Sequence, residues 1–357
     1  MTNTGYKSPL HEMASTTKTD FWNDSCSIAE LKYALEYGAV GATTNPVIVG
    51  NVLKAEMPLY EDRIKEMVGK MSNATEDEIA WELNEQMALD GAKLLLAIYE
   101  ASKGQKGRIS IQTNTKYYKN SELLLKQSIH FNKLSPNIQV KIPVTEAGIK
   151  AIEDATYEGV SINGTVSFTV SQALAVADAV ERGLKRREAE GKDISFMHPV
   201  CTLMVGRVDD WLKFVVEREG LIVEPECLNW AGVAVMKKAY QIYQKRAYRT
   251  QLLAAAYRNH YQWTEFMGAD MSLTISNKWM KRFNNSDIVV ENRIDKPVDP
   301  RMMEVLSEKV PEFDKFYEEE GMTIEEFDYF GPVKKTLIQF LEGYDSLLSI
   351  IRKYMIE

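Results

Sequence analysis

The chain has 357 residues, enough for one large α/β barrel or for two domains of ordinary size. Apolar residues make up 45% and charged residues 26%, which is the composition of a globular protein with a sizeable core. The net charge of −8 comes without a basic stripe, which argues against nucleic acid as the main partner. Three widely spaced cysteines, Cys26, Cys201 and Cys227, indicate neither a disulfide framework nor a zinc site.

The N-terminal "MTNTGYKSPLHEM" lacks the apolar segment of a secretory signal, and no apolar run approaches the length of a membrane span. We therefore expect a reduced, cytoplasmic protein that contacts neither membrane nor nucleic acid. The sequence leaves the oligomeric state open, a homo-oligomer included.

Short strand-like runs alternate with amphipathic helical segments along the chain. The clearer candidate strands lie at 19–25, 39–45, 108–114, 138–144 and 159–166, and weaker ones lie at 194–200, 251–257 and 271–276. Strand–helix alternation predicts a parallel sheet, and eight strands favour a closed (β/α)8 (TIM) barrel. A doubly wound open sheet is the alternative, which the lack of a glycine-rich nucleotide-binding loop makes less favourable.

Three segments extend this pattern. The stretch 47–104, after the second strand, is long for one crossover and predicts two or three extra helices. Residues 1–18 form an N-terminal extension, and about 295–357 is expected to be a helical tail packed on the barrel. We therefore expect one barrel domain over 1–357.

Polar side chains share one face of the first five strands, near the carboxyl ends. If Val40 and Ala42 face the helices, the residues between them face the barrel interior, and the same alternation applies to the other strands. Active sites of such barrels lie at this rim, which favours a shared site over unrelated polar residues in loops. The inward set is Trp22, Asp24, Gly41, Thr43, Asn45, Ser110, Gln112, Lys141, Ser161, Asn163 and Thr165.

Lys141 lies in the apolar strand of "NIQVKIPVTEAG", residues 137–148. Lysine is rarely buried unless it is paired or used, and desolvation lowers its pKa. The neutral amine that results is the form that attacks a carbonyl, so Lys141 is a candidate Schiff-base residue. The alternative is an ion pair with Asp24 that only closes the barrel.

Schiff-base chemistry needs a proton shuttle and a group that positions water. Asp24 is the candidate shuttle, and Gln112 or Thr165 could position water. Amide and hydroxyl groups could hold substrate hydroxyls, and these candidates are Asn45, Asn163, Thr43 and Thr202.

Two arginines follow the later strands. Arg207 in "MVGRVDDW" and Arg258 in "AAAYRNH" suit the phosphate of a sugar phosphate, although either could instead form a surface salt bridge. His198 could act as a base, but a core or rim histidine with a satisfied hydrogen bond is the favoured interpretation.

Five motifs in order resemble those of the transaldolases: "GATTNPVIV", "VKIPVTEAGIKAI", "INGTVSFTVSQALA", "VGRVDDW" and "AAAYRN". The resemblance runs from about residue 19 to about residue 285, with a family-like helical tail after it.

The resemblance implies a (β/α)8-barrel class I aldolase of the pentose phosphate pathway that uses no metal and no organic cofactor. It implies transfer of a dihydroxyacetone unit from a ketose phosphate, such as fructose 6-phosphate or sedoheptulose 7-phosphate, to an aldose phosphate. Its motifs imply Lys141 as the Schiff-base residue and Asp24 as the acid/base. They also imply substrate contacts for Asn45, Asn163, Thr165, Arg207 and Arg258.

Three positions depart from the family pattern. Gln112 replaces a glutamate and matches the related fructose-6-phosphate aldolases, which leaves plain aldol cleavage as an alternative to transfer. Leu203 or Met204, depending on register, replaces an aromatic residue. Ala256 replaces a phosphate-binding serine, which leaves a sulfonate as an alternative to phosphate. A non-catalytic sugar-phosphate-binding barrel is the alternative from another functional class.

Overall fold

The structure is a computed structural model and describes residues 5–356. Eight parallel strands form a closed barrel in chain order, in which β1 pairs with both β2 and β8. This confirms the predicted TIM barrel and excludes the open sheet. The strands are β1 (Asp20–Asn23), β2 (Gly41–Thr43), β3 (Arg108–Gln112), β4 (Ile138–Pro143), β5 (Ile162–Ser167), β6 (Val200–Leu203), β7 (Gln251–Ala254) and β8 (Ser272–Ile275).

Helices surround the strands and extend beyond them. Those of the first half are α1 (Pro9–Thr16), α2 (Ile28–Glu36), α3 (Pro46–Lys70), α4 (Glu76–Ala101), α5 (Ser121–Asn132), α6 (Glu146–Tyr157) and α7 (Val170–Ala189). Those of the second half are α8 (Val205–Arg218), α9 (Pro225–Leu228), α10 (Ala231–Arg246), α11 (Tyr261–Thr264), α12 (Asn277–Asn284), α13 (Pro300–Lys309), α14 (Phe313–Tyr317) and α15 (Gly331–Ile356). Two short 3-10 helices lie at Thr115–Tyr117 and Ile324–Tyr329.

The indole of Trp22 fills part of the barrel interior next to Gly41. A Cβ atom on Gly41 would lie 2.6 Å from the ring of Trp22, so only glycine leaves room for the indole there. Trp22 forms an inner apolar cluster with Val200, Leu253 and Ala255, and Val40 packs against it. The prediction that Val40 faces the helices is therefore wrong: Val40 precedes β2 and does not follow its alternation. Ala42 belongs to the outer core, as predicted.

The sixth strand begins later than predicted. Residues 194–199 form no strand, and β6 begins at Val200. The carbonyl of Phe196 accepts a hydrogen bond from Arg108 Nη2, and the carbonyl of His198 accepts one of 2.8 Å from Gln139 Nε2. Side chains therefore satisfy backbone groups that a neighbouring strand would otherwise pair.

The 47–104 segment contains two long helices, α3 and α4, within the predicted two or three. Helix α3 bends at Glu56, whose φ of −121° is not helical, two residues before Pro58. Helix α4 begins with a capping box between Thr75 and Glu78.

Helix α15, in the tail, packs against α3 and α4 and also contacts β5 and α8. A second apolar cluster joins α15 to α3 and α4, and it includes Val49, Leu53, Ile64, Leu83, Met87, Tyr344, Leu347 and Ile351. This packing places the N-terminal half of α15 beside the carboxyl ends of the strands. Within residues 5–356, no helix combines the length and the hydropathy needed to cross a lipid bilayer.

Candidate active site

A cavity of about 200 Å³ opens at the carboxyl ends of the strands. Six of the predicted site residues line it: Asp24, Asn45, Lys141, Thr165, Thr202 and Arg207. The rest of its wall consists of Val47, Ile48, Met204, Ala255, Ala256, Gln339 and Phe340. A larger cavity of about 570 Å³ lies beside the residues that precede β1 and β8, but it contains neither Lys141 nor Asp24. We therefore assign the chemistry to the smaller cavity.

Lys141 lies on β4 and is only 5% exposed. Among the residues that the structure describes, its Nζ forms no hydrogen bond and no salt bridge. Burial lowers the pKa of Lys141, and the negative charge of Asp24 acts in the opposite direction. The amine therefore faces the cavity without an ion-paired partner among these residues, which argues against the alternative of a structural ion pair.

Asp24 follows β1 and accepts a hydrogen bond of 2.7 Å from Thr43 Oγ1. The Thr43 hydroxyl also lies 2.6 Å from Thr274 Oγ1, on β8. Burial raises the pKa of Asp24, while the positive charge of Lys141 and the Thr43 hydrogen bond lower it. Burial thus moves the pKa values of Lys141 and Asp24 toward each other, which lowers the free-energy cost of moving a proton from one group to the other.

A chain of hydrogen bonds lies behind the cavity wall. Thr202 Oγ1 donates to Asn163 Oδ1 (2.7 Å), Asn163 Nδ2 donates to Ser110 Oγ (3.2 Å), and Ser110 Oγ donates to Gln139 Oε1 (2.7 Å). Of these residues only Thr202 lines the cavity. Asn163 and Thr43 are fully buried and bonded to other side chains, so direct substrate contact by either stays a prediction.

Gln112 also lies behind the wall. Its Nε2 donates to Thr115 Oγ1 (3.2 Å), while its buried Oε1 has no partner among the described residues. Residues Gln112, Lys141 and Asn163 are paired neighbours on β3, β4 and β5. The Gln112 side chain, with its acceptor oxygen Oε1, therefore belongs to the strand next to that of Lys141.

Asn45 begins α3 as its N-cap, and its Oδ1 accepts a hydrogen bond of 3.0 Å from the Ile48 amide. This bond fixes the side chain at the cavity wall and leaves Nδ2 available to a ligand. Thr165, on β5, is 1% exposed and lines the same cavity as Asn45.

The structure also shows where the other residues that depart from the family pattern lie. Both Leu203 and Met204 belong to the outer core, and of the two only Met204 lines the cavity; which of them takes the family's aromatic position stays a prediction. Ala256 lines the cavity with a φ of +66°, in the left-handed region. A Cβ on Gly206 would lie 1.8 Å from the Ala256 carbonyl oxygen, so glycine is required where α8 meets the end of β7.

The two arginines differ in their partners. Arg258 lies in an adjoining cavity of about 120 Å³ and pairs with Asp210, with Nε 3.0 Å from each carboxylate oxygen and Nη2 2.7 Å from one. Its Nη1 donates to the carbonyls of Ala256 (3.1 Å) and Tyr257 (3.0 Å). Arg207 lines both cavities, and its Nη1 donates to Thr336 Oγ1 (3.1 Å).

His198 does not line the cavity. Its ring nitrogens lie 3.3 Å from Gln105 Oε1 and 3.2 Å from Gln251 Oε1, and burial lowers its pKa to about 4. The structure supports the favoured interpretation of a core or rim histidine, partly buried and with hydrogen-bond partners.

Sequence reasoning did not find the contribution of α15. Three residues of α15 line one or both cavities: Thr336, Gln339 and Phe340. The alternation of strands and helices in the sequence did not indicate that this helix reaches the site. Gln139 was also missed, although its position two residues before Lys141 places it on the same face of β4.

Comparison with known proteins places the chain in a family. Residues 21–327 match the family described as Transaldolase/Fructose-6-phosphate aldolase. A transaldolase of Mycolicibacterium smegmatis is 32% identical over 208 residues, which is 58% of this chain and 55% of that protein. A transaldolase of Kocuria rhizophila is 30% identical over 211 residues, 58% of this chain and 56% of that protein. The matched part therefore spans little more than half the length of these relatives.

Proposed function

Because the chain belongs to the Transaldolase/Fructose-6-phosphate aldolase family, we propose that it is a transaldolase acting through a Schiff base on Lys141. The proposed donor is a ketose phosphate such as fructose 6-phosphate or sedoheptulose 7-phosphate, and the proposed acceptor is an aldose phosphate. The observation that supports this most strongly is a buried lysine amine, with no hydrogen-bond partner among residues 5–356, in the same cavity as a partly buried carboxyl group.

The first step forms the imine. The neutral Lys141 amine attacks the ketone carbon of the donor, and the resulting carbinolamine loses water to give the Schiff base. Asp24, whose pKa burial raises, can supply the proton that departs with that water.

The second step breaks the carbon–carbon bond. Asp24 as carboxylate accepts the proton of the donor C4 hydroxyl, the C3–C4 bond breaks, and its electron pair passes to the imine to form an enamine. The first aldose leaves, the acceptor aldehyde enters, and the enamine carbon attacks its carbonyl carbon while Asp24 gives its proton to the new hydroxyl oxygen. Water then hydrolyses the new imine, which returns the amine of Lys141.

The cavity wall supports recognition of a polyhydroxylated, anionic chain. Asn45, Thr165 and Thr202 present amide and hydroxyl groups around Lys141, and Arg207 lies at the outer part of the cavity. A guanidinium suits a phosphate, while the missing hydroxyl at Ala256 leaves a sulfonate as an alternative anion.

Plain aldol cleavage is the second candidate, and Gln112 supports it. The uncharged amide, with an unpartnered buried Oε1, could hold a water that hydrolyses the dihydroxyacetone intermediate before an acceptor arrives. The two reactions share the Schiff base and differ in what captures the intermediate.

The test supplies fructose 6-phosphate with and without erythrose 4-phosphate and follows the release of glyceraldehyde 3-phosphate. For a transaldolase, we expect sustained release only with the acceptor present, together with equimolar sedoheptulose 7-phosphate. Release that is indifferent to the acceptor, with free dihydroxyacetone as product, would identify an aldolase instead. No release in either case, with phosphorylated and sulfonated ketoses alike, would favour a non-catalytic binding protein.

A further inference from the structure

Arg207 is held in place by a residue of the tail. Its Nη1 donates a hydrogen bond of 3.1 Å to Thr336 Oγ1, and its guanidinium lies 5.8 Å from the ring centroid of Phe340. Thr336 is 1% exposed and Phe340 is 3% exposed. The two residues are one helical turn apart on α15, so a single face of that helix contacts the arginine.

Apart from the Thr336 contact, the Arg207 guanidinium forms no hydrogen bond with residues 5–356. Its buried Nε has no partner among residues 5–356, and the side chain forms no salt bridge within that part of the chain. Arg258 differs, because Asp210 and two backbone carbonyls occupy most of its donors. Of the two guanidinium groups, Arg207 is therefore the one with donors left for an anion.

The loop that holds Arg258 is itself fixed. The backbone amide of Arg258 donates a hydrogen bond of 2.6 Å to Gln262 Oε1, and Gln262 Nε2 donates one of 2.6 Å to Asp209 Oδ2. The backbone at Arg258 is therefore anchored within the barrel loops, whereas the Arg207 side chain is held by α15.

Helix α15 also contributes to both cavities. Gln339 and Arg207 line the central cavity and the adjoining one, and Phe340 closes the wall of the central cavity. A ligand that extends from Lys141 toward Arg207 would therefore meet the barrel on one side and α15 on the other.

We propose that α15 is part of the substrate-binding site and that Thr336 is a positioning residue, which orients Arg207 toward the anionic end of the substrate. This inference rests on the proposed function for the identity of that substrate. It assigns selectivity for the anionic group to a helix outside the barrel, through a hydrogen bond that needs a hydroxyl at position 336.

The test compares Thr336→Val, which keeps the shape and removes the hydroxyl, with Thr336→Ser, which keeps the hydroxyl. Ser349→Ala on the exposed side of α15 is the control for disturbance of the helix. We expect Thr336→Val to raise the KM for fructose 6-phosphate about tenfold with little change in kcat, and to leave the KM for unphosphorylated fructose unchanged. Thr336→Ser should restore most of the lost affinity.

A second readout does not depend on turnover. Inorganic phosphate should raise the melting temperature of the wild-type protein and of Thr336→Ser, and raise that of Thr336→Val much less at the same concentration. Equal KM changes for the phosphorylated and unphosphorylated ketoses, or phosphate stabilisation identical in all variants, would overturn the proposal.

The two readouts separate this inference from the proposed function. If borohydride traps no ketose on wild-type Lys141 but phosphate still distinguishes the Thr336 variants, the Schiff-base function fails and the role of Thr336 stands. If wild-type Lys141 is trapped and the variants behave alike in both assays, the role of Thr336 fails and the function stands.

Discussion

The hydroxyl of Thr43 donates a hydrogen bond of 2.7 Å to Asp24 Oδ1, and in this way β2 sets the position of a carboxyl group that follows β1. Asp24 lines the cavity and Thr43 does not. The position of the proton-transfer group therefore depends on a residue behind the cavity wall. A hydrogen bond of this kind stabilises the carboxylate form and limits the rise in pKa that burial causes.

We expect Thr43→Val to raise the pKa of Asp24 further and to lower kcat about tenfold, because a hydrogen bond to a charged group contributes about 1.5–3 kcal/mol. The pH profile of kcat should move to higher pH in the same variant, since the carboxylate form is needed to accept the hydroxyl proton. Thr43→Ser keeps the hydroxyl and should retain both the rate and the profile. A profile that does not move in Thr43→Val would show that Thr43 does not act through Asp24.

The pH dependence of imine formation follows from the burial of Lys141. Its pKa is lowered, so the neutral, reactive fraction is larger at any given pH than for an exposed lysine. We expect the rate of imine formation with dihydroxyacetone, quenched by borohydride, to rise with pH and to level off below pH ~10.4, the ordinary lysine pKa. A rise that continues to that pH or beyond it would contradict a desolvated amine.

Lys141→Met should lower kcat by several orders of magnitude and should not lower the melting temperature. Between its lowered pKa and pH ~10.4, the folded protein binds fewer protons at Lys141 than the unfolded chain does. The contribution of Lys141 to the free energy of unfolding therefore rises with pH across that window and is unfavourable below it. Methionine removes this cost at pH 7 and keeps most of the side-chain volume. Differential scanning calorimetry at pH 7 tests it, and a clear loss of stability would show that Lys141 has a structural partner.

Lys237 is a second buried lysine with a burial-lowered pKa, and its environment is the opposite of that of Lys141. Its Nζ contacts Glu265 Oε2 at 2.8 Å and the carbonyls of Arg293 and Lys296 at 2.8 and 2.7 Å. It ties the segment after α12 to α10 and has no donor left for chemistry.

Lys237→Met should therefore destabilise the protein by about 3–5 kcal/mol, because it removes the hydrogen-bonded partner of the buried Glu265 carboxylate and leaves only Arg293, at 3.8 Å. Urea unfolding measures this change. Lys237→Met combined with Glu265→Gln should recover part of the loss, since the unpaired charge is then removed. A stability equal to wild type in the single variant would contradict the ion pair seen here.

Strand alternation predicted most of the site because the pleat fixes it. Asp24, Asn45, Lys141 and Thr165 reach one cavity from four strands, as a period of two requires when all strands are parallel. The same rule placed Asn163 inward, but it could not show that Ser110 and Thr202 would use its amide.

Where prediction failed, long-range contacts decided the structure. The 194–199 segment has strand-like composition, yet hydrogen bonds from Arg108 and Gln139 hold its carbonyls outside the sheet. Thr336 and Arg207 are 129 positions apart in sequence, and no local pattern relates them. Tertiary packing of α15 on α3 and α4 brings the two residues together. Local hydrophobic periodicity cannot predict such a contact between distant parts of the sequence.

Peptide mass mapping after borohydride reduction with fructose 6-phosphate tests the central claim most directly, because the chain contains its own control. We expect the reduced three-carbon or six-carbon adduct on the peptide that contains Lys141 and none on the peptide that contains Lys237, although both lysines are buried. An adduct spread over several lysines, or the absence of any adduct on Lys141 while fructose 6-phosphate is turned over, would contradict a Schiff base formed by this amine.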